Sequence, residues 1–146
     1  MNNEIIKFLI KAKKETYAGK GEESNPSRPN SHDLQFVEGD LKYIDTYLGG
    51  IRFAGEEAIW EDDVPIWSMN YMGRTIADGF SGEFHKEALL LVPDDMPFRG
   101  PSSYIKGDNT YSCTVDGDFS WFTGYEEVLN KNIKVYECFF HGCTIK

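Results

Sequence analysis

The sequence predicts an α+β fold made of two tandem helix-plus-four-strand antiparallel units, related by an internal pseudo-twofold duplication. Three observations carry this. Phe53 to Ile76 returns as Phe122 to Ile145 after a gapless slide of sixty-nine positions, matching Phe53 with Phe122, Gly55 with Gly124, Glu57 with Glu126, Gly73 with Gly142, Thr75 with Thr144 and Ile76 with Ile145. Upstream, at an offset of sixty-eight, Phe36 to Asp40 answers Tyr104 to Asp108, while Tyr43, Thr46 and Gly49 answer Tyr111, Thr114 and Gly117. Each run of strand-like alternation also follows one helical segment. The chain reads as a single domain, 1–146, built of repeats 1–77 and 78–146.

Taken in order, residues 3–17 place Ile5, Ile6, Leu9, Ile10 and Ala12 on one side and Lys7, Lys11 and Lys14 on the other, the period of an amphipathic helix. Glu4 suits the positive end of its dipole, and Gly19 and Gly21 are expected to end it. A Pro-rich loop, residues 20–30, carries Arg28 and is read as a candidate lid. Strands are expected at 34–37, 41–48, 51–60 and 64–76, with turns at Glu38-Gly39-Asp40 and Asp62-Asp63. Ser81 is placed to cap a second helix over 82–91, which Pro93 and Pro97 stop. Strands then recur at 103–106, 110–115, 119–129 and 133–145. A helix laid on a four-stranded meander is a stable two-layer unit, and two of them can join into one larger sheet. The architecture resembles tandem cystatin-like units, an analogy that carries no function.

A net charge of −9 repels phosphate backbones, so no direct nucleic-acid partner is expected. Three cysteines without paired spacing point to reduced thiols and a cytoplasmic location. No apolar run is long enough to cross a bilayer, so no membrane partner is expected. No cofactor is expected, because neither a Gly-rich phosphate loop nor a nucleophile elbow occurs. No metal is expected either. In Cys138-x-x-His141-x-Cys143, strand alternation sends Cys138 to the face opposite His141 and Cys143.

Comparing the repeats locates candidate function. Tyr43, Asp45 and Tyr47 should face inward where the second repeat has Tyr111, Cys113 and Val115. Asp45 is thus a carboxylate at a core position, flanked by two tyrosines able to hydrogen-bond it, and it requires a partner or a function. Glu57 and Glu126, present in both repeats, read as framework, bonding the exposed amides of glycine kinks at Gly55 and Gly124. Trp67, Met69 and Tyr71 match Tyr136, Cys138 and Phe140 as an apolar face, and Asn70 lies on the other side. His32-Asp33 is either an acid–base pair or the turn into the first strand.

The stretches FLIKAKKETYAG, SRPNSHDL, YIDTYLGG, FAGEEAIW, PIWSMNYMG, RGPSSY and FTGYEEV resemble a bacterial family of domains of unknown function, found alone or C-terminal to repressor-type helix-turn-helix domains. The resemblance begins at the first helix, so no DNA-binding part is expected here. It implies no activity, cofactor or catalytic residue, but it implies an effector-binding role associated with transcriptional regulation. The expected function is a small-ligand or peptide binding module, with Arg28, His32, Asp33, Tyr43, Asp45, Tyr47, Trp67, Asn70 and Tyr71 as its binding surface. Arg28 and His32 would form the lid. The alternatives are a small hydrolase or isomerase using Asp45 or Glu57 as general base, and a protein-interaction or dimerisation module whose partner is a second copy.

Overall fold

Alternation of apolar and polar residues commits most of the chain to strands, and the apolar stripes of two short segments commit those to helices. The computed structural model describes residues 2–146. It contains α1 (Asn2–Glu15), β1 (His32–Glu38), β2 (Leu41–Gly49), β3 (Arg52–Glu61), β4 (Val64–Thr75), α2 (Gly82–Leu90), β5 (Ser103–Lys106), β6 (Asn109–Asp118), β7 (Trp121–Asn130) and β8 (Ile133–Thr144). The eight strands form one antiparallel sheet in the order β1-β2-β3-β4-β8-β7-β6-β5. Two four-stranded meanders therefore meet at β4 and β8, with Tyr71 opposite Phe140. No described helix is long and apolar enough to cross a membrane.

Both helices pack on one face of this sheet. Cross-strand partners share a face, so the rows Leu34, Asp45, Glu57, Met69, Gly142, Phe122 and Cys113, Glu126, Cys138, Gly73, Phe53 all point toward the helices. Ile5, Phe8, Leu9 and Ala12 of α1 and Phe84 and Ala88 of α2 complete a continuous core with Ile59, Trp67, Val128 and Val135. Each large apolar side chain so buried contributes about 1.5–3 kcal/mol. The opposite face carries no helix and leaves Leu48, Met72 and Phe139 partly exposed.

Turns set the registers. Gly39 and Gly107, at φ 61 and 60, open two-residue turns, as a first turn position with positive φ requires. Asp62-Asp63 and Lys131-Asn132 close the β3–β4 and β7–β8 hairpins with both residues at positive φ, without a glycine in either pair. The expected element boundaries shift at several ends: Ile51, Ile76 and Ile145 fall outside the strands, Leu91 outside α2, and the strand expected at 110–115 runs from Asn109 to Asp118. Thr16 and Tyr17 lie beyond α1, in a following turn that Gly21 N closes by donating to Thr16 O at 2.7 Å, and the positive φ there belongs to Lys20 rather than a glycine. Phe119 sits in the β6–β7 turn, because the β6–β7 register ends at Asp118 opposite Trp121. His32 and Asp33 belong to β1 rather than to a turn before it. Ser81 caps α2 as expected, its Oγ accepting from Phe84 N at 3.2 Å.

Candidate functional site

The recurring glycines are spaces for aromatic rings. A Cβ on Gly73 would lie 2.5 Å from Phe53 Cζ, and one on Gly142 2.7 Å from Phe122 Cζ. A Cβ on Gly124 would strike the Phe140 ring at 2.2 Å, and one on Gly55 would lie 2.5 Å from Tyr71 Oη. Glycine is required at these strand positions because a neighbouring ring crosses directly over the backbone. Over Gly55 that ring ends in a hydroxyl, and the hydroxyl donates to Asp45 Oδ1 at 2.5 Å.

Around Asp45 lies a cavity of about 200 Å³ between the two helices and the sheet. Its floor is Tyr43, Asp45 and Tyr47 of β2, Phe53 and Glu57 of β3, and Tyr71 of β4. Lys13 and Tyr17 close it from α1 and the turn after it. His85 of α2, Phe80 before that helix, Tyr136 of β8, and Phe98 and Arg99 of the loop after α2 complete the wall.

Two ion clusters hold this wall together. Lys13 Nζ donates to Glu57 Oε1 at 2.5 Å and to Phe98 O at 2.6 Å, and Tyr43 Oη donates to the same Glu57 oxygen at 2.7 Å. Glu126, fully buried, accepts from Arg99 Nε at 3.1 Å and Nη2 at 2.8 Å, and from the hydroxyls of Tyr111 and Tyr136, each at 2.7 Å. His85 Nε2 lies 2.9 Å from it. Burial alone would raise the Glu126 carboxyl, but Arg99 and His85 override it and hold the group well below the usual carboxylate range. Tyr43, Tyr71, Tyr111 and Tyr136 are all pushed well above 10 by burial.

Asp45 differs from both glutamates. It is buried and its one hydrogen bond comes from a neutral phenol. It stands directly opposite Glu57 in the β2–β3 register. Burial first, and Glu57 second, raise its carboxyl from 3.8 to about 7; the Tyr71 bond and the charges of Lys13 and Arg99 pull the other way without overcoming them. Its second oxygen, Oδ2, has no hydrogen bond, and neither has Arg99 Nη1, which lies 3.9 Å from Glu57 Oε2. Neither atom is sealed from accessible space, since no enclosed side-chain polar atom lacks a partner among the described residues. The cavity thus presents one open acceptor and one open donor among aromatic walls.

Of the residues expected to form a binding surface, Tyr43, Asp45, Tyr47 and Tyr71 line this cavity. The others lie elsewhere. Asp33 and Asn70 point to the opposite face of the sheet; Asp33 is held there by Ser31 and Thr46 and Asn70 is exposed. Trp67 is core, stacked on Phe119 and Phe122 with Nε1 donating to Phe119 O at 3.1 Å. Arg28 is exposed in its loop and does not line the cavity. His32 stacks on Tyr47 and pairs with Glu23 at 2.8 Å, outside the cavity lining.

Three further expectations are corrected. The tyrosines flanking Asp45 on its own strand do not bond it, because same-face neighbours on a strand extend side by side; the bond comes from β4, two strands away. Glu57 and Glu126 bond charged and phenolic side chains rather than the amides of Gly55 and Gly124, since rings occupy the space above both glycines. The Pro-rich loop of the first half does not line the cavity, whereas the loop after α2, with Pro93, Pro97 and Pro101, delivers Phe98 and Arg99.

Several cavity residues escaped the sequence reading. Lys13 had a readable signal, falling four residues after Leu9 on the apolar stripe of α1, as did His85 beside Phe84 and Ala88. Arg99 had none, because loop residues obey no period. Among the described residues, no group of three His, Cys, Asp or Glu side chains is placed to hold a metal ion.

Fold and site together define a two-layer α+β domain with an aromatic-walled cavity, carrying a few polar groups, between the helices and the sheet. Residues 45–145 match the family described as Domain of unknown function (DUF5680), and the chain belongs to that family. No curated protein and no solved structure matches it.

Proposed function

We propose that the chain is a small-ligand binding module and that the cavity beside Asp45 is its binding site. The observation that carries this is the pairing of an open acceptor, Asp45 Oδ2, with an open donor, Arg99 Nη1, in one aromatic-walled space. An apolar cavity of about 150 Å³ accepts benzene, so about 200 Å³ suits a single-ring molecule with polar substituents better than a peptide segment. In this reading the ligand is an effector, in keeping with the sequence resemblance, which implies that related domains occur either alone or after repressor-type headpieces.

We also read the chain as a duplication of one helix-plus-four-strand unit. The paired turns at Gly39 and Gly107 and at residues 62–63 and 131–132 support it, as do the ring-accommodating glycines. Under that reading Asp45 and Tyr71 correspond to Cys113 and Phe140. The hydrogen-bonded polar pair of one half answers an apolar pair in the other, which favours a role for the pair beyond holding the sheet.

A single-ring fragment screen by NMR tests the proposal. Binders should shift the aromatic signals of Tyr47, Tyr71, Phe80 and Tyr136. A screen without binders, or with shifts confined to the uncovered sheet face, would refute it. One observation favours a second reading, proton transfer by Asp45: an acid ionising near 7 exchanges a proton readily at neutral pH. Turnover of a bound molecule, following that titration and absent in Asp45→Asn, would move the reading there.

A further inference from the structure

Asp45 stands outside the ion pairs that surround the cavity. Lys13 is matched by Glu57 at 2.5 Å, and Arg99 by Glu126 through two hydrogen bonds. Both of these cations are thus engaged by glutamates, and His85 Nε2 also lies on Glu126, at 2.9 Å. Asp45 is a third buried carboxylate, 4% exposed, and the nearest group across the strand pair is another anion, Glu57. No cation forms an ion pair with it among the described residues, and its bonded neighbour is the neutral Tyr71. An ionised carboxylate in such a place costs several kcal/mol unless a positive charge arrives beside it.

Resting on the cavity being a ligand site, we infer that it takes a small ammonium ligand: one protonated nitrogen on a compact single-ring body, donating to Asp45 Oδ2, with the ring among Phe53, Phe80 and Tyr136. The aromatic walls add to the attraction, since a desolvated cation beside aromatic faces gains further stabilisation. An anionic ligand is disfavoured although Arg99 Nη1 is open. That guanidinium is already bound to Glu126 and lies 3.9 Å from Glu57, and an incoming anion would meet both Asp45 and Glu57. A neutral ligand leaves Asp45 uncompensated or protonated.

The proton inventory gives the inference a signature. Asp45 faces Glu57 on β3, Tyr71 on β4, Tyr43 and Tyr47 on its own strand, Lys13 and Tyr17 at α1, Arg99 on the loop and His85 on α2. Burial raises all four of these phenols above 10, so they keep their protons near neutrality. Asp45 itself is largely protonated at pH 6, and an ammonium ligand must displace that proton.

Calorimetric titration of the intact chain with benzylamine, benzyl alcohol and benzoate, at pH 6 and pH 8 in buffers of different ionisation enthalpy, tests this. Benzylamine should bind at least about tenfold tighter than benzyl alcohol, the scale of one charge-assisted contact. Its affinity should rise about tenfold from pH 6 to pH 8, with close to one proton released at pH 6. Both effects should vanish in Asp45→Cys/Tyr71→Phe, which installs the side-chain pair found at Cys113 and Phe140, and in the near-isosteric Asp45→Asn. Benzyl alcohol or benzoate binding as tightly as the amine, or an amine affinity independent of pH, overturns the inference while leaving the ligand site standing. Failure of all three probes to bind also overturns it, and only an empty fragment screen would remove the site as well.

Discussion

Replacing Asp45 by asparagine removes a carboxylate that the fold forces to ionise late, while keeping its size and its capacity to accept from Tyr71 Oη. A group with a midpoint of 3.8 when unfolded and about 7 when folded binds more protons in the folded state between those values. Folding stability therefore falls as pH rises through that window, the reverse of the usual salt-bridged aspartate. At about 1.4 kcal/mol per tenfold difference, the full penalty at alkaline pH is about 4 kcal/mol, of which about 2.5 kcal/mol accrues between pH 5 and pH 8. Glu126 does not contribute in that range, because its carboxyl is held below the ordinary value and is ionised in both states. Differential scanning calorimetry of wild type and Asp45→Asn at half-unit steps from pH 5 to pH 8 isolates the Asp45 contribution together with its interaction with the facing Glu57, since groups away from this pair titrate alike in both proteins. Wild type should lose roughly 5–10 °C of Tm relative to the variant across the window, and the variant should be the more stable at pH 8. Parallel Tm curves would refute the reasoning, showing that Asp45 ionises at its ordinary value and is not desolvated.

Three other outcomes are expected. Gly55→Ala should cost about 1–3 kcal/mol in urea denaturation, because its Cβ would meet Tyr71 Oη at 2.5 Å and Tyr47 Cβ at 2.6 Å, whereas Gly82→Ala, with open space around it at the start of α2, should be neutral or stabilising. Arg99→Met should destabilise by about 3–5 kcal/mol at neutral pH, by leaving Glu126 buried without its main cation, and the loss should shrink in acid as Glu126 protonates. Asp63→Gly should raise stability by about 0.5–1 kcal/mol in the same assay, because Asp63 sits at φ 65 in a turn that favours glycine at its second position.

How far the sequence reached differs between fold and site. Period-two alternation exposes each strand locally, so strand positions are legible to within a few residues, and Ser81 announces α2 by capping chemistry alone. Asp45 was legible because a carboxylate at an inward strand position violates the pattern around it. Tyr71 reads in the sequence both as core and as part of the binding surface, and it is a buried residue that lines the cavity. Its role toward Asp45 depends on a ring crossing Gly55 from a strand two places away, and no local pattern encodes that distance.

The order of residues by itself determined the α+β class, the helix and strand sequence, the hairpin turns and the placing of an acid on the buried face, since each follows from side-chain periodicity and turn chemistry over a few residues. Tertiary structure alone decided that β4 and β8 join the meanders into one sheet and that a cavity opens beside Asp45. It also decided that Lys13 and Arg99, eighty-six positions apart in the chain, face adjacent carboxylates. The physical reason is that desolvation and Coulomb attraction depend on distances in space. The late ionisation of Asp45 follows from its burial first and from the facing Glu57 second, both of which only the assembled chain defines.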